Sequence, residues 1–333
     1  MSITFAPKII EMGKEVKFKQ VIECGCGLDV HRSSIVATVR RSDQEEETRT
    51  FDAYTSSLTE LREWCKAKGV THIAMESTGI YWKPVFNILE EEDIEIILVN
   101  ARHVKNVPGH KTDKRDSRWL SKLLLSGLLK GSFIPPQDIR ELRDLVRYKK
   151  KMINQAASEK NRLIKTLEDC NIKLSSVVSD VNDGVSATKI INDIVSGVTD
   201  VEKLMVHIHG SIKANREEIR KALEGRVTEH HRFMMRIIKE GIEEMEKRIA
   251  KIEKQIDKVA RQYEVELKLL ETIPGVGRDS AISIISEIGV KMEQFPNEQH
   301  LSSWAGMSPG SNESAGKKKV PEPPTETNLS NQP

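Results

Sequence analysis

Two aspartates three residues apart, Asp113 and Asp116, stand among Lys111, Lys114, Arg115 and Arg118 in a run that reads as a loop entering a helix. Thr112 or Asp113 can cap the first turn, and Trp119, Leu120, Leu123, Leu124 and Leu128 follow at helical spacing. Residues three apart share a helix face, so the two carboxylates can chelate a hard divalent cation while the surrounding cations hold a phosphate beside it. Mixed charge is also the ordinary composition of a solvated helix face, so the pair needs partners elsewhere. Asp29 and Glu76 are the candidates. Asp29 shares a strand face with Gly25 and Gly27, which would leave room for an ion and a phosphate backbone. Glu76 ends a short apolar run. Four acids meeting at one point would suit two-metal phosphoryl transfer, in which carboxylates hold two Mg²⁺ about 4 Å apart.

The elements that must bring them together follow from hydrophobic period. From Val21 the chain alternates, with Ile22, Cys24, Cys26 and Leu28 facing one way and Glu23, Gly25, Gly27 and Asp29 the other. Residues 34–41 and 47–53 read as two further strands joined by a polar turn. Helix 58–67, strand 71–75, helix 81–91 and strand 95–99 come next. A meander of strands followed by alternation with helices implies a mixed sheet with flanking helices. In a ribonuclease H-like sheet the first and fourth strands lie side by side, which places Asp29, Glu76 and the helix bearing Asp113 and Asp116 at one edge.

Pro135 and Pro136 break the preceding helix, and 139–167 then reads as a long basic helix. Leu142, Leu145, Met152, Ala156, Leu163 and Leu167 line one side, while Arg140, Arg143, Arg147, Lys149, Lys150 and Lys151 crowd its start. These cations suit phosphate contact or a solvated face. Residues 171–212 form a helical insert of weaker pattern, in which His207 and His209 are wrongly spaced to share a metal. From Ile238 to Tyr263 apolar residues recur in steps of four and three, a heptad seam that either folds back on the basic helix or pairs with another subunit. A turn containing Gly275 and Gly277 leads into helix 280–288; it resembles a helix-hairpin-helix whose amides can grip a DNA phosphate, or is an ordinary glycine-capped turn.

The chain has 333 residues, enough for two domains, and its 38% hydrophobic residues can form a core. Scarce aromatics (5%) against abundant charge (31%) favour long exposed helices over a sandwich or barrel. Net charge is only +2, but residues 101–165 hold 17 Lys and Arg against 6 Asp and Glu, a local +11 that leaves −9 for the remainder. A polyanion would be drawn to that segment. Cys24, Cys26, Cys65 and Cys170 show neither zinc-ligand spacing nor a disulfide framework and read as buried or free thiols. No signal peptide or membrane span is visible, so a soluble, cytoplasmic protein is expected.

Gly27-Leu28-Asp29-Val30-His31, Met75-Glu76-Ser77-Thr78-Gly79-Ile80-Tyr81-Trp82, and Val99-Asn100-Ala101-Arg102-His103-Val104-Lys105 with Gly109-His110-Lys111-Thr112-Asp113-Lys114-Arg115-Asp116 closely resemble the DEDD transposases of the insertion sequence 110 family. The resemblance runs over residues 21–319. It implies a RuvC-like catalytic domain with Asp29, Glu76, Asp113 and Asp116 as ligands of Mg²⁺, with Mn²⁺ as a substitute. The segment 301–317 resembles the family's nucleophile region and makes Ser314 the serine that attacks the scissile phosphate, with Lys317 beside it. The family further implies DNA partners (element ends and target), a structured guide RNA, and a dimer or tetramer whose acidic and serine domains come from different subunits. A prokaryotic, nucleoid-associated setting goes with it.

The expected architecture is therefore α/β plus α: a disordered lead 1–19, a RuvC-like domain 20–135, long helices 136–268, a transposase domain 269–319 and a disordered tail 320–333. The proline-rich tail, nearly free of apolar residues, departs from the family pattern and leads to the expectation of an incomplete second domain with weak or absent strand transfer. Rival readings are a RuvC-like nuclease acting on branched DNA with water, and a non-catalytic nucleic-acid-binding remnant. An actin-like ATPase ranks last, because no second phosphate loop is present.

Overall fold

The computed structural model describes residues 21–43, 45–77, 79–90, 94–100, 116–129, 131–181, 183–210, 212 and 214–307, with the backbone alone of 313–314 and 317–318. The expectations for the lead 1–19 and the tail 320–333 lie outside the described residues, as do Lys111, Asp113, Lys114 and Arg115.

Five strands form the sheet: β1 (Cys24–Val30), β2 (Ser34–Arg41), β3 (Glu46–Asp52), β4 (His72–Glu76) and β5 (Glu95–Val99), in the order β3-β2-β1-β4-β5. The first three run antiparallel as a meander; β4 and β5 join parallel to β1. This is the expected ribonuclease H-like arrangement of a mixed sheet with flanking helices. Helix α1 (Thr55–Ala67) buries Leu58, Leu61, Trp64 and Cys65, and α2 (Trp82–Leu89) buries Trp82, Val85, Phe86 and Leu89, each a stripe at steps of three and four. These stripes pack with Leu28, Ile35, Ile73 and Met75 in one core. Helix α3 (Asp116–Leu125) covers the other face of β1.

One expectation for α3 fails. Leu128 is not on the helix, because Gly127 takes a left-handed φ of +64° and ends it, leaving Leu128 49% exposed. The prolines act differently too: the preceding helix has already ended at Leu125, and Pro136 is the N-cap of the next.

The chain divides into two compact units, one of the described residues up to Ile134 with those from Glu293 onward, the other Pro135–Met292. Residues 269–292 thus group with the long helices, not with the residues from Glu293 onward. The helical unit is built on α4 (Gln137–Asp169) and α9 (Glu229–Ala260). They run antiparallel: Asp169 meets His231 at one end, Lys160 meets Glu246, Lys149 meets Glu253, and Asp138 meets Tyr263 at the other. The seam that starts at Ile238 therefore folds back on the basic helix of its own chain. Short helices α5 (Leu174–Val177), α6 (Val185–Ser196), α7 (Val201–Met205) and α8 (Arg216–Leu223) close one end, where Leu163, Leu167, Ile190, Ile194, Leu223 and Ile238 share a core. At the other end a 3₁₀ turn (Arg261–Tyr263), α10 (Glu264–Glu271) and α11 (Arg278–Ile288) pack Leu267, Ala281, Ile282 and Ile285 on Ile139 and Leu142.

Helix α12 (Glu298–Trp304) belongs to the sheet unit, where Trp304 stacks edge-on to Phe295, and Phe295 to Phe133. All four cysteines are buried and free, as expected. Among the described residues no helix is long and apolar enough to cross a membrane.

Candidate active site

The parallel pairing of β1 with β4 sets Leu28 opposite Met75. Both are fully buried in the core, so Asp29 and Glu76, one residue further on, occupy neighbouring positions on the opposite face. Glu76 is paired in turn with Val99 of β5. Both acids stand at the carboxyl ends of parallel strands, the edge at which open α/β sheets bind their ligands.

That same face of β1 carries α3, and the glycines of β1 are the reason it can. A methyl group added to Gly27 would lie 2.2 Å from the carbonyl oxygen of Ser117 and 2.5 Å from the amide nitrogen of Ser121; one added to Gly25 would lie 2.9 Å from the side chains of Leu124 and Leu125. The expected room for an ion and a phosphate backbone is therefore absent at these two positions, because a helix backbone fills it. The glycines instead let the first turn of α3, with Asp116 at its start, approach the strand that ends in Asp29.

Hydrogen bonds fasten this approach. Ser117 and Thr38 are both fully buried, and their hydroxyl oxygens lie 2.9 Å apart; Thr38 is also 3.0 Å from the Thr48 hydroxyl. Arg118 forms an ion pair with Glu46 at 2.8 Å, and Glu46 also pairs with Arg40. Arg118, expected to touch nucleic acid, thus links α3 to β3.

The Asp29 side chain is 15% exposed, and one of its oxygens lies 3.1 Å from Nε2 of His31. Among the described residues no three His, Cys, Asp or Glu are close enough to hold a metal. The fold thus brings Asp29 and Glu76 to adjacent places with Asp116 on the helix that covers their face, but it does not close the three into a cage. The donors nonetheless suit Mg²⁺, which takes hard carboxylate oxygens. Asp113 lies outside the described residues, and Ser314 and Lys317 are described only as backbone in a two-stranded ladder of β6 (Glu313–Ser314) and β7 (Lys317–Lys318).

Sequence reasoning passed over His31, Thr38 and Ser117. His31 was findable from its two-residue spacing to Asp29, and Thr38 as a hydroxyl interrupting the apolar run of β2. Ser117 carried no signal.

The cations at the start of α4 are largely engaged inside their own unit. Arg143 is 6% exposed and donates to the carbonyl oxygens of Ser286 (3.0 Å) and Glu287 (2.7 Å) at the end of α11. Burial pushes its pKa down, against the opposing pull of Glu287. Arg147 grips both carboxylate oxygens of Glu287 at 2.9 Å. Lys149 pairs with Glu253 and Asp279, and Arg140 donates to the carbonyl of Pro135. Lys150 and Lys151 are exposed and have no ion pair among the described residues. At the turn before α11, Gly275 takes a φ of +87°, and nothing lies within 4 Å of a methyl group added to Gly275 or Gly277. Both glycines are exposed, and Gly277 caps α11 without a side-chain hydrogen bond.

The family model for the DEDD transposase of IS110 matches residues 26–172, and the model for the transposase IS116/IS110/IS902 family matches residues 267–326. No curated protein matches the chain. The first segment contains the strand-end acids and the start of α4; the second contains the glycine turn and extends past Lys319. With an acidic sheet of ribonuclease H-like order in the first and both segments matched to one group of mobile-element enzymes, the chain belongs to the IS110 family of transposases, enzymes that act on DNA.

Proposed function

We propose that this transposase moves its element by metal-dependent recombination, with Asp29, Glu76, Asp113 and Asp116 holding the divalent cations and Ser314 as the nucleophile. Transposase domains of the DEDD type generally depend on a divalent metal. One observation carries the reading: the β1–β4 register makes Asp29 and Glu76 neighbours, on the face over which α3 begins with Asp116. When bound, Mg²⁺ supplies charge stabilisation for the oxygens that attack and leave phosphorus. Asp29 and Glu76 contribute carboxylates at the strand ends and Asp116 one from the start of α3, with Asp113 supplying the fourth. His31 holds one oxygen of Asp29 and limits its rotation. The Ser314 oxygen bonds to phosphorus as the bond from phosphorus to the deoxyribose oxygen breaks, and the serine proton passes through solvent to that leaving oxygen, so the DNA end is joined to the protein and a free deoxyribose hydroxyl is released. Lys317 favours the charge of the strand being attacked. The amides of the Gly275–Gly277 turn and the exposed Lys150 and Lys151 hold DNA backbone.

Target choice through a guide RNA, and a multimer pairing the acids of one subunit with the serine of another, complete the proposal. The test is a DNA substrate carrying the element ends, incubated with Mg²⁺ and resolved on denaturing gels. A protein-DNA adduct that disappears with Ser314→Ala, Asp29→Asn or Glu76→Gln is expected. Cleavage that survives Ser314→Ala would show water as the nucleophile and overturn the serine assignment; an adduct that survives Asp29→Asn and Glu76→Gln would overturn the metal site.

A further inference from the structure

Between the sheet and α3 lies a joint made of buried hydroxyls. Thr38 sits opposite Gly27 in the β1–β2 pairing and opposite Thr48 in the β2–β3 pairing, so it stands at the centre of the sheet surface that α3 covers. Its hydroxyl meets that of Ser117 at 2.9 Å with both residues fully buried. Ser117 directly follows Asp116 in the first turn. Apolar contact is non-directional and limits a helix's rotation only through shape, whereas a buried hydroxyl pair is directional and costs free energy when broken. With about 3.6 residues per turn, successive residues of a helix are separated by a fixed rotation of about 100°, so the direction of Ser117 into the sheet sets the direction of Asp116. Gly27 sets the height of the same turn, because the Ser117 carbonyl rests where its side chain would be. Around this centre, Ser121 donates to the Arg118 carbonyl at 2.8 Å, and Arg118 pairs with Glu46.

We propose that Thr38 and Ser117 are positioning residues for a divalent-cation site, their hydroxyl pair fixing the rotation of α3 at which Asp116 serves with the strand-end acids Asp29 and Glu76. The proposal rests on the metal reading given above, and it adds residues that touch neither the metal nor DNA.

Calorimetric titration of the full chain with Mn²⁺ alone tests it, with thermal melting in parallel. Thr38→Val and Ser117→Ala are expected to weaken Mn²⁺ binding about tenfold, at the low end of what loss of the groups supporting metal ligands costs. Thr38→Ser, which keeps the hydroxyl, is expected to bind as the parent does. If Thr38→Val does not fold, Ser117→Ala compared with Thr38→Ser decides the same question. Unchanged Mn²⁺ affinity in a folded Ser117→Ala or Thr38→Val chain whose melting temperature has fallen would reduce the pair to a structural contact and overturn the proposal. Asp29→Asn and Asp116→Asn separate the two levels: if these leave Mn²⁺ binding intact, the metal reading itself fails and the positioning role falls with it.

Discussion

The sheet unit and the helical unit both carry conspicuous charge, and they use it in opposite ways. At the sheet edge, Asp29 and Glu76 are made neighbours by backbone pairing while Asp29 has only the exposed His31 as a described partner. In the helical unit Arg143, Arg147, Lys149 and Lys160 turn inward and tie α4 to α9, α11 and the insert. The two acids are set side by side by the backbone, whereas most of the cations are tied to anions of their own unit. A charge run in a helix is thus evidence of function only once its partners are known, whereas acids aligned at strand ends gain meaning from topology alone.

The contrast can be broken most severely at Arg143. Arg143→Ala leaves the Ser286 and Glu287 carbonyls at the end of α11 without their side-chain donor, while Arg147 still holds the Glu287 carboxylate; two bonds to a charged group, at about 1.5–3 kcal/mol each, give an expected loss of about 3–5 kcal/mol, read from urea unfolding. A loss below about 1 kcal/mol would mean that the arginine is not structural and would return it to the candidate phosphate contacts. Gly27→Ala tests the sheet side: the added methyl collides with helix backbone, and about 1–3 kcal/mol of destabilisation is expected in the same assay. A neutral result would show that α3 is free to shift on β1.

Lys150→Glu with Lys151→Glu sharpens the difference between engaged and exposed cations. Stability should change by less than about 0.5 kcal/mol, while DNA binding weakens and its salt dependence loses roughly one counterion per lysine. Filter binding across a salt series measures this; an unchanged slope would remove these lysines from the interface.

The smallest effect concerns pH. Hydrogen bonding from Arg278 holds the Glu264 carboxyl below its ordinary value of 4.5, against a slight opposing effect of burial. A group whose folded pKa is depressed contributes stability that is fully present above the ordinary value and lost as pH falls through the folded one. The melting temperature of Glu264→Gln should therefore lie below that of the parent at pH 7, and the two should converge as the solution is acidified below pH 4.5. A gap that persists at pH 2 would assign the contact to packing.

The strands were legible before any fold was known, because hydrophobic pattern is a local property and β2 and β5 fall at the positions it marks, 34–41 and 95–99. So was the neighbourhood of Asp29 and Glu76, since a fourth strand returning beside the first in this topology puts their ends together. The seam from Ile238 was legible as a seam; its partner was not, because Glu253 and Lys149 are a hundred residues apart in sequence and any basic helix would have matched the pattern. The glycines of β1 make room, and only the fold shows that the backbone and side chains of α3 occupy it.

From the sequence alone came everything that depends on near neighbours along the chain: the period of each element, the identity of the acids and the order in which they occur. The tertiary structure alone decided what each side chain faces. Gly27 meets a helix carbonyl, Arg143 meets the end of a helix more than 140 residues away, and Thr38 meets Ser117 across 79 residues. The physical reason is that a hydrogen bond or an ion pair is satisfied by any suitable partner within a few ångströms, and only the folded chain determines which one arrives.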